Sequence, residues 1–180
     1  GKPIIVPTQD IVLGLYYLSL ESANEKGDGM AFYSLAEIKH ALDAGAISLH
    51  ANVKARISSY DKENNEKKII VSSTPGRLLI SEVLPKHYKV DFSLINKVLS
   101  KKEVASLIDN VYRHCGQKDT VIFADRLMSL GFKYACNAGI SFGKDDMIIP
   151  LAKKKLVDET RDLIKQYEKQ YSNGLITQGE

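Results

Sequence analysis

Between Ile47 and Ile57 the apolar residues recur at every second position, and this stretch is the clearest β signal in the chain. Ile47, Leu49, Ala51, Val53, Ala55 and Ile57 alternate with Ser48, His50, Asn52, Lys54 and Arg56. That is the repeat of a strand with one wet face. Asp61 to Lys68 reads as a polar connection, after which Ile69 to Ser72 returns antiparallel and completes a hairpin. The flanking segments have a helical period, so the chain must combine a small sheet with helices.

Gln9 to Leu20 is apolar on nearly every side and reads as a helix surrounded by neighbours, with Thr8 as N-cap and Gly14 marking close backbone contact. Before it, Pro3 to Pro7 is an extended segment, because each proline restricts itself and its predecessor. Lys26 to Gly29 is a turn. Ser34 caps a helix over Leu35 to Ala44 that Gly45 ends.

Helices also follow the hairpin: Pro75 to Leu84, then Lys101 to Cys115 ended by Gly116, then one capped by Asp119 or Thr120 and running to about Ala138. Gly131 inside that last helix counts against it by about 1 kcal/mol. After a short extended piece, Ile140 to Pro150, Leu156, Thr160, Leu163, Tyr167 and Gln170 form a narrow seam for one partner helix. Ser172 to Gly174 stops it, and Leu175 to Glu180 begins a returning helix that the sequence leaves unfinished. The expected fold is α+β: a mixed helical domain with a small antiparallel hairpin, over residues 1–150, and a projecting, truncated C-terminal helical hairpin over 151–180.

Composition narrows the function mostly by exclusion. Twenty-five basic residues against 22 acidic give a formal charge of +3, far below the basic patch of a free-standing nucleic-acid binder. Cys115 and Cys136 lack the spacing of a zinc site or a disulfide framework. No apolar run approaches the ~18 residues needed to cross a bilayer, so no membrane role is indicated and a cytosolic origin fits.

The small motifs favour ordinary readings. Gly27-Asp28-Gly29 lacks the Lys-Ser/Thr of a phosphate loop and reads as a turn. His114 and Cys115 are adjacent on a helix, where side chains diverge, so they read as a structural pair rather than a nucleophile and its base. Asp145 and Asp146 lack a third metal ligand, and Lys153 to Lys155 form either a phosphate contact or the wet first turn of the last helix. The tyrosines do not interleave with basic residues as a base-stacking platform would, and most read as packing residues.

Five segments carry a resemblance: Pro3 to Tyr17 (PIIVPTQDIVLGLYY), Ser48 to Lys54 (SLHANVK), Thr74 to Arg77 (TPGR), Thr120 to Asp125 (TVIFAD) and Ser141 to Pro150 (SFGKDDMIIP). Together they resemble the beta-prime subunit of bacterial DNA-directed RNA polymerase, in order and over essentially the whole chain. The family's catalytic magnesium is held by an Asn-Ala-Asp-Phe-Asp-Gly-Asp motif, which this sequence does not contain. The resemblance therefore implies an internal piece of a nucleotidyltransferase, inactive by itself, with no cofactor of its own and with magnesium and zinc bound elsewhere in the parent subunit.

It further implies that residues 1–150 are the pore region bordering the secondary channel, through which nucleoside triphosphates arrive and backtracked RNA 3′ ends leave. The remainder begins the funnel and its rim, where channel-binding transcription factors dock. Expected partners are the beta, alpha and omega subunits, with DNA, RNA and nucleotides in the whole enzyme.

By the same resemblance no catalytic residue lies in this chain, while Gln9 and Asp10 lie nearest the active centre. Arg77 is either a channel-lining contact to phosphate or RNA or, favoured, an ion pair to a neighbouring subunit segment. Lys118, Ile122 and Asp125 match an alarmone pocket, with Ser129 departing from the family's tyrosine; for Asp125 the ordinary alternative is a pair with Arg126 or Lys133. A protein-interaction module that uses the C-terminal hairpin is the competing function.

Overall fold

The computed structural model describes residues 7–139 and 151–174, with side chains described for 7–139 and 159–174. It divides into two compact units, Gly1–Ile140 and Ser141–Glu180. The fold is α+β, as the two periods require.

Unit 1 contains, in order, α1 (Asp10–Leu18), β1 (Ala31–Phe32), α2 (Leu35–Asp43), β2 (Val53–Tyr60), β3 (Glu66–Ser73), α3 (Pro75–Ser81), a 3-10 turn at Phe92–Leu94, and α4 (Lys101–Asn137). The sheet order is β1-β2-β3, with β2 and β3 antiparallel from Val53↔Ser73 to Tyr60↔Glu66. β1, which has no sequence signal, joins β2 in parallel through Ala31↔Lys54 and Phe32↔Ala55.

The strand starts later than the alternation does. Ile47 and Ala51 are buried as the repeat demands, but the segment before Val53 has no ladder partner, because the opposing chain leaves β3 at Thr74-Pro75 to begin α3. Ser48, Leu49 and His50, between Ile47 and Ala51, are all half-buried, and the segment is a pinned loop, in which the Ser48 amide donates to Lys26 O at 2.7 Å. In compensation β2 runs on to Tyr60 and leaves a tighter hairpin than expected.

α4 is two helical arms. Gly116, with φ 80° and ψ −179°, breaks it, so the glycine ends the first arm as its position suggests. Asp119 and Thr120 do not cap the second arm: the Thr120 hydroxyl donates back to Gly116 O at 2.7 Å. Val104, Leu107, Ile108 and Val111 of the first arm, and Phe123 and Leu127 of the second, enter one core with Leu15, Leu18, Ile38, Val53, Leu78 and Ile80. Burying such side chains contributes about 1.5–3 kcal/mol apiece.

In unit 2, α5 (Leu151–Ser172) is one helix ending at Gly174, whose φ is 70°. Leu163, Ile164, Tyr167 and Tyr171 are exposed on it. The expected returning helix, the Pro3 to Pro7 segment apart from Pro7, the extended piece over 140–150 and the side chains of Lys153 to Lys155 lie outside the described residues. Among the described residues, no helix is long and apolar enough to cross a membrane.

Candidate functional site

α1 is held along its length and open at its start. Its central glycine lies against the second arm of α4, where a Cβ on Gly14 would meet Gly131 O at 1.9 Å, so the two backbones touch as the sequence suggests. Toward its other end, a Cβ on Gly76 of α3 would fall 1.9 Å from Leu18 O. The helix is less enclosed than its composition implies: Leu15 and Leu18 are fully buried, but Tyr16 is 44% exposed.

Thr8, Gln9 and Asp10, at its N-terminal end, are all exposed. The N-cap is Gln9 rather than Thr8, and no side chain caps the first turn. Gln9 has φ 52° and ψ −127°, a region that an L residue seldom adopts. The helix therefore presents two polar residues, one with a strained backbone, from a rigid mount.

The segments singled out in the sequence build that mount. In Thr74-Pro75-Gly76-Arg77, the threonine hydroxyl accepts from Arg77 N at 3.3 Å, the proline occupies the first helical turn, and the glycine permits the approach to Leu18. The Arg77 side chain turns inward and is 7% exposed as a residue. Its Nε donates to Ser19 O at 2.9 Å, and Nη1 pairs with Glu21 Oε2 at 3.2 Å and reaches Asn96 Oδ1 at 3.4 Å. The ion pair is thus internal to this chain.

Neighbouring bonds extend this network. Asn96 Oδ1 also accepts from Ser73 Oγ at 2.7 Å, Glu21 Oε1 accepts from Asn52 Nδ2 at 2.7 Å, and the fully buried Ser19 Oγ accepts from Leu99 N at 2.8 Å. His50 adds a contact between Nδ1 and Leu20 O at 3.2 Å and an edge-on ring contact with Tyr17 at 4.8 Å. Gly27-Asp28-Gly29 is a turn, and Asp28 Oδ1 accepts from Asn52 N at 2.8 Å. All these groups converge on the exit of α1.

Lys118, Ile122, Asp125 and Ser129 follow one another at about one-turn steps along the second arm of α4, and all are exposed. Asp125 makes no ion pair among the described residues, so neither Arg126 nor Lys133 partners it. A cleft of about 530 Å³ at the helix break includes Ile122, His114, Cys115 and Arg126 in its walls. Burial, and then the charge of Asp119, push the Cys115 thiol up, the reverse of an activated nucleophile.

Among the described residues, no three His, Cys, Asp or Glu side chains converge as a metal site. Asp145 and Asp146 lie outside those residues. The tyrosines divide: Tyr17, Tyr60, Tyr88, Tyr112 and Tyr134 are partly buried, whereas Tyr16, Tyr33, Tyr167 and Tyr171 are exposed. The sequence reading missed that Arg56 lies over Tyr33, 4.8 Å from the ring centre. The family model described as RNA polymerase Rpb1, domain 3, matches residues 1–147.

Proposed function

Since the chain belongs to the family of RNA polymerase Rpb1 third domains, and so is part of the largest subunit of a DNA-directed RNA polymerase, we propose that unit 1 is a wall of that enzyme's secondary channel. In this reading the subunit is the bacterial beta-prime form. The chain supplies shape and polar lining to the path of incoming nucleotides and backtracked RNA 3′ ends, while the reacting groups and their magnesium belong to other parts of the enzyme. The three-aspartate motif that would hold the ion is missing from its sequence.

The observation that carries the reading is the contrast within α1: a body fixed by backbone contact at Gly14 and by the Ser19–Arg77 network, ending in exposed Gln9 and Asp10. A channel wall needs such a mount, because a misplacement of about 1 Å near a reacting centre is costly. The beta, alpha and omega subunits are the partners proposed for the remaining surface. The exposed Leu163, Ile164, Tyr167 and Tyr171 of α5 suit a rim helix that channel-binding factors contact.

The test is reconstituted polymerase carrying Gln9→Ala or Asp10→Asn. The expected result is an altered KM for nucleotides or an altered rate of recovery from backtracking, with assembly unchanged. Both quantities remaining at the parent values in both variants would overturn the assignment.

A further inference from the structure

A cleft of about 480 Å³ lies between the β hairpin and the loop that follows α3, and neither α1 nor its supporting network uses it. Its walls include Tyr33, Arg56, Tyr60, Lys68, Lys86 and Phe92. The volume lies within the range of ~300–1,000 Å³ common to small-molecule sites.

The charge inside it is not balanced. Lys68 is held by Glu66 at 2.6 Å, and Glu82 by Lys39 at 2.7 Å. Asp91, also in the wall, accepts from Ser93 N at 3.1 Å as the cap of the 3-10 turn. Arg56 and Lys86 form no ion pair among the described residues, although Glu66, which holds Lys68, is also within electrostatic reach of Lys86. Their combined charge exceeds that of Asp91, so the cleft favours an anion.

Arg56 is also presented for binding. The parallel register Phe32↔Ala55 sets Tyr33 beside Arg56, and the guanidinium lies over a ring that is itself 70% exposed. Tyr33 is fixed from behind: its amide donates to Glu37 Oε2 at 2.7 Å, while Ser34 Oγ accepts from Glu37 N at 3.3 Å. A guanidinium with one face on an aromatic ring keeps its N–H edge for an oxyanion and its other face for a second ring.

We propose that this cleft binds an aromatic anion of nucleotide size, its phosphate or carboxylate taken by Arg56 and Lys86 and its ring stacked on the Arg56–Tyr33 pair. The site is independent of the role proposed for α1, and the two can fail separately.

The full 180-residue chain, isotope-labelled, is titrated by NMR with GMP, 4-hydroxyphenylacetate, guanosine and inorganic phosphate. Saturable shifts at Tyr33, Arg56 and Lys86 with GMP or with the aromatic carboxylate are expected, and the one that binds identifies the preferred anion. Guanosine and phosphate should each bind at least about tenfold more weakly, since each offers half of the recognition. Arg56→Gln and Tyr33→Ala should each weaken binding by a similar factor while leaving the rest of the spectrum in place. The proposal is overturned if neither aromatic anion shifts the cleft up to about 10 mM, if phosphate or guanosine alone binds as well as GMP, or if Arg56→Gln binds unchanged.

Discussion

Gly14 and Gly131 meet where α1 crosses the second arm of α4, so closely that a methyl group on Gly14 would stand 1.9 Å from the Gly131 carbonyl oxygen. The nearest atoms are backbone and cannot swing aside, so Gly14→Ala must push the helices apart. Over-packing of this kind costs about 1–3 kcal/mol and sometimes more. Urea unfolding should show a loss at or above that range for Gly14→Ala. Gly131→Ala should lose less, because its nearest approach is 2.7 Å, to Ile11 O, and some of its neighbours are side-chain atoms.

Arg77 ties Ser19, Glu21 and Asn96 together through one buried guanidinium. Arg77→Met keeps the apolar stem but leaves Ser19 O and Asn96 Oδ1 without this donor, and should cost about 2–4 kcal/mol, less than a fully buried pair because Glu21 is partly exposed. Arg77→Lys should recover only part of the loss, since an ammonium cannot reproduce the planar fork. If Arg77→Met unfolds at the parent urea concentration, the network does not hold the exit of α1.

How far the fold was legible follows from the same residues. Period-two alternation found β2, and the glycine at 116 marked the break in α4, because both are local effects of backbone geometry. The start of β2 was not legible, since a ladder needs a partner and Pro75 takes the partner away into α3. Gly131 looked unfavourable within a helix until Ile11 and Leu15 of α1, more than a hundred residues away, supplied its reason: a Cβ there would meet Ile11 O at 2.7 Å. The Arg56–Tyr33 stack was invisible for a related cause: a two-residue parallel strand creates it, too short to leave a pattern.

His114 faces His87 with the rings nearly parallel, 11° apart in plane and 6.0 Å between centres. Partial desolvation first, then the positive charges of Lys89, His87 and Arg113, hold its pKa below the ordinary 6.5. The unfolded chain consequently binds the proton more readily. This group's contribution to stability should fall as pH drops through 6.5 toward the folded value and be restored above 6.5. An NMR titration of the His114 ring should give a midpoint under 6.5 that rises in Lys89→Gln. A midpoint at or above 6.5 in the parent chain would show that these groups do not act on the ring.

Gly116 is constrained by conformation where Gly14 is constrained by space. A Cβ added at Gly116 would meet nothing within 4 Å, yet its φ of 80° and ψ of −179° fall in a region essentially reserved for glycine. The cost of Gly116→Ala is therefore torsional, about 1–3 kcal/mol. Asparagine, which eases the penalty in the left-handed helical well, should give no relief, because a ψ of −179° lies outside that well. Gly116→Ala and Gly116→Asn should thus lower the urea midpoint by similar amounts. A neutral or stabilising substitution would mean that the two arms join as one continuous helix in solution, which would reshape the cleft around His114 and Cys115 at the break.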